Sequence, residues 1–356
     1  MLHDLSSLTG VVVFLVAIMV LARACADEGL FVALGARMSV HARGDAHRLL
    51  TVGVVLAAVV TVVLSLDATV VLLAPVLMAA STGAGDVTSF AAVRLTNTGS
   101  TLLPVSNLTN LLAFGATGLG FLEFTAAMLP VWVVGVMGEY AVLRWWFRAE
   151  LHAAKPTVAH DVPAVPLFPA SVLIVVLLAL AVGTTPWMPA AAGAVLVAGH
   201  ALARRHTSWT GLREAANLPL AALVLLWASA VTALAATPAG DWFDTLVPSG
   251  GGWAALVATA LLGMLVAGVV NNLPATLLLL PAATLGGPAT VLALLIGVNV
   301  GANLTAVGSL ANLLWRRSAP PGAASWRRFH LLGLTTTPML VAVSATVLWA
   351  WTSLVW

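Results

Sequence analysis

Two runs of carboxamide and hydroxyl side chains, set in otherwise apolar stretches, are the residues with chemistry to offer. Asn97, Thr98, Ser100, Thr101, Ser106, Asn107, Thr109 and Asn110 form the first, and Asn299, Asn303, Thr305, Ser309 and Asn312 the second. Residues 97–112 and 299–314 are identical at 8 of 16 positions with a constant offset of 202 (299 minus 97). Such side chains donate and accept hydrogen bonds without carrying charge, so they can replace the water around a small polar solute. Small polar residues that merely glued helices together would not recur with fixed spacing 202 residues later. Gly99, Gly301, Gly308 and Pro104 weaken continuous helix. Irregular backbone at membrane depth survives only where it lines a cavity or is packed in protein. The pattern therefore predicts unwound breaks at about 97–107 and 299–309 that face a shared site.

Each break is preceded by a second polar interruption: Ser65, Asp67 and Thr69 in the first half, and Asn271, Asn272, Pro274 and Thr276 in the second. Both are followed by an apolar run ending in proline, Pro75 and Pro281. The parallel favours two re-entrant helical hairpins over 49–82 and 252–284, with tips meeting the breaks; two full crossings each is the alternative. Asp67 then becomes a carboxylate deep in an apolar setting, which needs a partner, hydration or a proton. Arg94 is its expected charge partner, or else a transported proton or cation. If the crossings are full, Asp67 sits instead in an extracellular loop. Glu123 and Glu139 read as structural, with Glu139 near the interface at Arg144. The eight histidines fall at expected helix ends or loops, which argues against a histidine relay or metal site. Cys25, the single cysteine, cannot form an internal disulfide or a thiolate cage.

The elements that carry these residues are helices in a bilayer. Of 356 residues, 61% are apolar and 8% charged, about a third of the charged share of a soluble domain. Net charge of +2 gives no reason to expect nucleic acid as a partner. Spans are expected at 8–24, 88–113, 121–147, 167–184, 186–200, 217–234, 288–314 and 329–353, the first read as a span rather than a cleaved signal because no basic residue precedes it. Thirteen of the fifteen Lys and Arg fall in four clusters, around Arg43, Arg148, Arg205 and Arg316, which the positive-inside rule puts in the cytoplasm. The two copies of the polar motif then run in opposite senses, as inverted repeats. Residues 1–147 form the first repeat, shortened at its N-terminus; 148–166 form a cytoplasmic linker; and 167–356 form the second repeat, with a leading helix pair. Several of the thirteen Trp, among them Trp145, Trp187, Trp315 and Trp351, suit an interfacial belt.

The fold class is thus an all-α polytopic membrane protein with two inverted repeats, each holding a hairpin and a discontinuous helix, the architecture of secondary transporters with a midplane site. The site residues expected are Asp67, Thr69, Asn97, Thr98, Ser106, Asn107, Asn110, Asn271, Asn272, Thr276, Asn299, Asn303, Thr305, Ser309 and Asn312, with Arg94 as a charge partner and no metal or cofactor.

In these segments the sequence resembles the arsenite permease branch of the ion transporter superfamily, whose other branches include D-type Na+/H+ antiporters and dicarboxylate/sodium symporters. The resemblance rests on Asp27-Glu28-Gly29-Leu30-Phe31, Asp67 with Pro75, and Ser106-Asn107-Leu108-Thr109-Asn110. It is most specific at Asn271-Asn272-Leu273-Pro274-Ala275-Thr276 and at Val307 to Trp315. It implies an elevator-like or rocking movement of the site-bearing elements. It also implies efflux of arsenite or antimonite against inward proton movement, with ATP used only if a separate ATPase subunit docks, and a homodimer as a further partnership. Asn97, Asn299 and Asn303 stand where some arsenite permeases carry Asp and Lys, which leaves H+ and Na+ both open as coupling ion.

Arsenite at neutral pH is an uncharged trihydroxide, which amides and hydroxyls can hold without charge. With Cys25 outside both motifs, binding through three thiolates of one chain is excluded. A dicarboxylate would call for cationic or helix-N-terminal donors, and only Arg94 lies near the site. Na+/H+ exchange would use Asp67 and break carbonyls. A passive channel built on the same breaks is the second class of reading, and a membrane-embedded enzyme the third, lacking a deep nucleophile or metal cluster. The location expected is the plasma (inner) membrane.

Overall fold

The computed structural model describes every residue except 1, 67–68, 75–76, 78–84, 155–160, 183, 220, 223–225, 227–228, 231–232, 234–236, 238–244, 249, 319–324 and 356. Helix is the regular secondary structure of the described residues, with no strand among them. In chain order the helices are α1 Leu2–Asp27, α2 Leu30–Ala42, α3 Ala46–Leu64, α4 Gly85–Gly99, α5 Leu108–Thr117, α6 Phe121–Trp146, α7 Arg148–Ala153 and α8 Leu167–Ala181. They continue as α9 Trp187–Ala203, α10 Trp209–Ala216, α11 Trp253–Val270, α12 Asn272–Leu285, α13 Pro288–Asn299, α14 Leu310–Ser318 and α15 Trp326–Val355. Four of them, α3, α6, α11 and α15, are long and apolar enough to cross a bilayer by length and composition. The chain is an all-α polytopic membrane protein. The expected span 217–234 and the hairpin arm through Pro75 lie largely outside the described residues.

The expected breaks are present. Helix α4 stops at Gly99, residues 100–107 are not α-helical, and the chain resumes as α5. In the second copy α13 tightens into 3₁₀ turns at Val300–Leu304 and Ala306–Gly308 before α14. Close packing demands the glycines here. A Cβ on Gly301 would lie 2.6 Å from the Met264 Cβ, and one on Gly308 would lie 2.3 Å from the Ala302 carbonyl oxygen.

Both preceding helices end in the same unusual way. Ser65 caps α3 at φ 78°, ψ 161° and Asn271 caps α11 at φ 87°, ψ 154°. This corner of backbone space is sparsely populated for any residue with a Cβ and costs about 1–3 kcal/mol. Its recurrence at equivalent positions marks both as sharp turns that the surrounding packing enforces. After Asn271 the chain turns into α12, which stays against α11 and packs on α13. After Ser65 a short π-helical segment, Thr69–Leu73, follows.

The two halves are interleaved. Helix α5 of the first copy packs on α12 and α13 of the second, while α14 of the second packs on the 69–73 segment of the first. Helix α1 lies along α9, and α6 along α15. Three features depart from the sequence expectation. The segment around Arg37, outside the expected spans, forms α2, because Leu30, Phe31, Met38 and Ala42 recur on one buried face. Trp315, expected at an interface, is fully buried, donating to Ser89 Oγ at 2.8 Å and packed among Phe90, Trp326 and Phe329. Glu139, expected near the interface, is likewise fully buried.

Candidate functional site

The breaks converge on a continuous network of amides. Asn97, on the last turn of α4, donates from Nδ2 to Asn303 Oδ1 and to Asn312 Oδ1, both at 2.8 Å. Asn299, its equivalent on α13, donates to Asn110 Oδ1 at 2.6 Å. Its own Oδ1 accepts from Asn107 Nδ2 and Thr109 Oγ1, both at 2.8 Å. The repeat seen in the sequence is thus a repeat of bonding across the two halves. The amide before each break reaches the asparagine that follows the other break.

The asparagines after the breaks do a second job in the same register. Asn110 Nδ2 donates to the carbonyls of Ser100 at 2.8 Å and Leu103 at 3.0 Å. Asn312 Nδ2 donates to those of Ala302 at 2.8 Å and Thr305 at 2.9 Å. Subtracting 202 carries each second-copy residue onto its first-copy counterpart. Carbonyls freed by unwinding would be costly inside protein, and these amides satisfy them. Asn107 also caps α5, accepting from the Thr109 amide at 3.2 Å, and Ser309 Oγ accepts from the Asn312 amide at 3.3 Å. Asn97, Thr98, Asn110, Asn299, Asn303, Ser309 and Asn312 are 0% exposed.

The turns meet the breaks of their own halves. The Leu66 amide donates to the Ser106 carbonyl at 3.1 Å, and Ser106 Oγ returns a bond to the Val62 carbonyl at 2.8 Å. Asn271 Nδ2 donates to the Val307 carbonyl at 3.0 Å, and Thr305 Oγ1 to that of Gly268 at 2.7 Å. Tip-to-break contact, the geometry expected of the hairpins, is present in both copies. Thr69 and Thr276 are buried, and among the described residues their hydroxyls bond back along their own chain, to the Ser65 and Asn272 carbonyls. Asn272 is buried at the start of α12. Asp67 lies outside the described residues.

Among the described residues one charged pair touches the network, and its carboxylate is one the sequence left as structural. Arg94, expected to face Asp67, pairs with Glu139 of α6, Nε to Oε2 at 2.7 Å and Nη2 to Oε1 at 3.0 Å, both side chains 0% exposed. Glu139 Oε1 also accepts from Thr98 Oγ1 at 3.2 Å and Asn303 Nδ2 at 3.0 Å. Thr336 of α15 accepts from Arg94 Nη2 at 3.2 Å. Glu139 follows Arg94 by 45 residues, so only packing of α6 on α4 reveals the pair. His330, expected at a helix end, reaches the second break, its Nε2 accepting from the Ala306 amide at 3.0 Å. Glu123 is structural as read, accepting from the Gly120 amide at 2.7 Å. Among the described residues the site is therefore a neutral sum: amides, hydroxyls, backbone carbonyls and one internally balanced ion pair.

Residues 6–285 match the family model described as citrate transporter. The chain belongs to the citrate transporter family. It is a member of the ion transporter superfamily and a multi-pass membrane transporter. Curated relatives over nearly all of its length are arsenical pump membrane proteins. That of Escherichia coli K12 is 27% identical across 93% of this chain and 84% of the relative, as is that of Shigella flexneri. That of Yersinia enterocolitica is 26% identical over the same shares. The transporter thus shares a family with carriers named for citrate, and its full-length likeness is to carriers named for arsenicals.

Proposed function

We propose that this transporter is a secondary active carrier that exports arsenite or antimonite across the plasma membrane in exchange for protons. One observation carries the choice of solute: among the described residues the convergent amide network has no net charge, because Glu139 already engages the cation beside it, Arg94, through two hydrogen bonds. An uncharged trihydroxide needs donors and acceptors and no counter-charge. A di- or tricarboxylate would require Arg94 to leave a buried partner, at a cost of about 3–5 kcal/mol. The similarity to arsenical pump membrane proteins over 93% of the chain supports the same reading.

In this reading the two halves are inverted repeats with basic clusters in the cytoplasm, and the tips and breaks move together to present the solute to either side. The interlocking of α5 with α12 and of α14 with the 69–73 segment gives such a movement its rigid body. The carboxylate assigned to proton coupling in this reading is Asp67, which the sequence sets between apolar runs ahead of the first break.

The test is uptake by everted membrane vesicles carrying the protein, without ATP, of arsenite, citrate or Na+, with and without an imposed proton gradient. Gradient-driven arsenite accumulation is expected. Gradient-driven citrate or Na+ movement without arsenite movement would move the substrate to another branch of the superfamily. Arsenite equilibration that never exceeds the outside concentration would make the protein a channel.

A further inference from the structure

The two copies of the amide network are not equal, and one difference leaves a buried atom without a partner among the described residues. Asn299 Oδ1 accepts two hydrogen bonds, from Asn107 Nδ2 and Thr109 Oγ1. Its counterpart, Asn97 Oδ1, is buried and has no hydrogen-bond partner among the described residues. The orientation of the Asn97 amide is fixed by its neighbours. Asn303 turns its Nδ2 toward the Arg94 carbonyl, Thr98 and Glu139, and Asn312 turns its Nδ2 toward two break carbonyls. Both therefore present Oδ1 to Asn97, and flipping Asn97 would set oxygen against oxygen.

The sequence gives the cause. Adding 202 to Asn107 and Thr109, the donors that serve Asn299, gives Ser309 and Ala311. Serine is too short to extend an amide across the gap, and its Oγ is the acceptor for the Asn312 amide. Alanine has no hydroxyl. Ser309 and Ala311 are both fully buried. A buried acceptor without a partner is destabilising. Here it comes from two specific departures at positions whose first-copy counterparts are donors.

We propose that Asn97 Oδ1, left without the donors that the repeat replaces by Ser309 and Ala311, is the acceptor that takes a hydrogen bond from a hydroxyl of the transported solute, and that this pair of small residues selects a compact neutral hydroxyl donor. The proposal rests on the reading of the site as one for an uncharged trihydroxide. It makes the first copy the binding half and the second copy, where Asn299 is fully engaged by Asn107 and Thr109, the half that locks the breaks together.

Restoring the missing donors is the test. Ala311→Thr, Ser309→Asn and the smaller Ala311→Ser are purified in detergent and their thermal unfolding followed against arsenite, NaCl and citrate. Arsenite is expected to stabilise the wild type. In each variant that folds, the unliganded protein should be as stable as wild type or more so, and the arsenite concentration for half the effect should rise about tenfold, the worth of one good hydrogen bond. An unchanged arsenite midpoint in a folded Ala311→Ser or Ser309→Asn protein would overturn the subsite while leaving arsenite as substrate. If citrate rather than arsenite stabilises the wild type, and the variants weaken that effect, Asn97 Oδ1 keeps its role as acceptor and the selection of a compact neutral solute falls; if NaCl alone does so, the subsite falls as well.

Discussion

Replacing Glu139 by Gln keeps the size of the side chain and removes its charge, which makes it the sharpest probe of the site's architecture. Glu139 accepts four hydrogen bonds, two from Arg94 and one each from Thr98 and Asn303. Glutamine can offer one oxygen to these donors, and its own amide then faces another donor. The Arg94 guanidinium is left fully buried with its charge unopposed. Removing one partner of a buried pair costs about 3–5 kcal/mol. Arg94→Gln, which strands the carboxylate, belongs in the same range. If the two losses were independent, the double variant would lose about 6–10 kcal/mol, and with both charges gone it should lose less than about 3. The coupling, at least about 3 kcal/mol, can be read by denaturant or thermal unfolding in detergent with intrinsic tryptophan fluorescence. A Glu139→Gln protein within about 0.5 kcal/mol of wild type, or a double variant equal to the sum of the singles, would refute the reasoning. Because Asn303 hangs on Glu139 and Asn97 on Asn303, the folded single variant should also bind arsenite more weakly than the wild type.

Three further outcomes are expected. Gly301→Ala should cost about 1–3 kcal/mol, because the new methyl would meet the Met264 Cα at 2.7 Å, whereas Gly99→Ala, with 3.3 Å to the Ala58 Cα, should cost less than about 1; unfolding midpoints of the two variants decide it. Asp67→Asn should lower proton-driven arsenite uptake and flatten its pH profile while membrane insertion is kept, and normal uptake with the wild-type profile would remove Asp67 from coupling. Asp45, the N-cap of α3, accepts from the Arg48 and His47 amides, and the bond from Arg48 is the main cause that holds its carboxyl below the ordinary 3.8. A carboxyl held low contributes stability above its ordinary value and loses it as pH falls through the lowered one. The stability gap between wild type and Asp45→Ala should therefore be present at neutral pH and close in strong acid.

The sequence by itself determined the environment, the repeat and the identity of the polar residues. An apolar content of 61% dictates a bilayer protein. The break positions followed from local rules, since glycine, proline and clustered amides weaken helix wherever they lie, and the observed breaks at 100–107 and 300–309 follow the expected ones to within a few residues. Helix α2 was obscured by basic residues, although its buried face keeps helical spacing. Local rules cannot say which amide bonds which. The pairing of Asn97 with Asn312 and of Asn299 with Asn110 spans about half the chain and exists only because the two halves interleave. The Arg94–Glu139 pair was hidden for the same reason: charge near a helix end looks interfacial until the packing of α4 on α6 puts it in the centre. The substitutions that leave Asn97 Oδ1 without a donor were visible as Ser309 and Ala311 in the alignment of the repeats. Their meaning required the tertiary structure, because a hydrogen bond is set by where two atoms lie and spacing along the chain alone does not fix that.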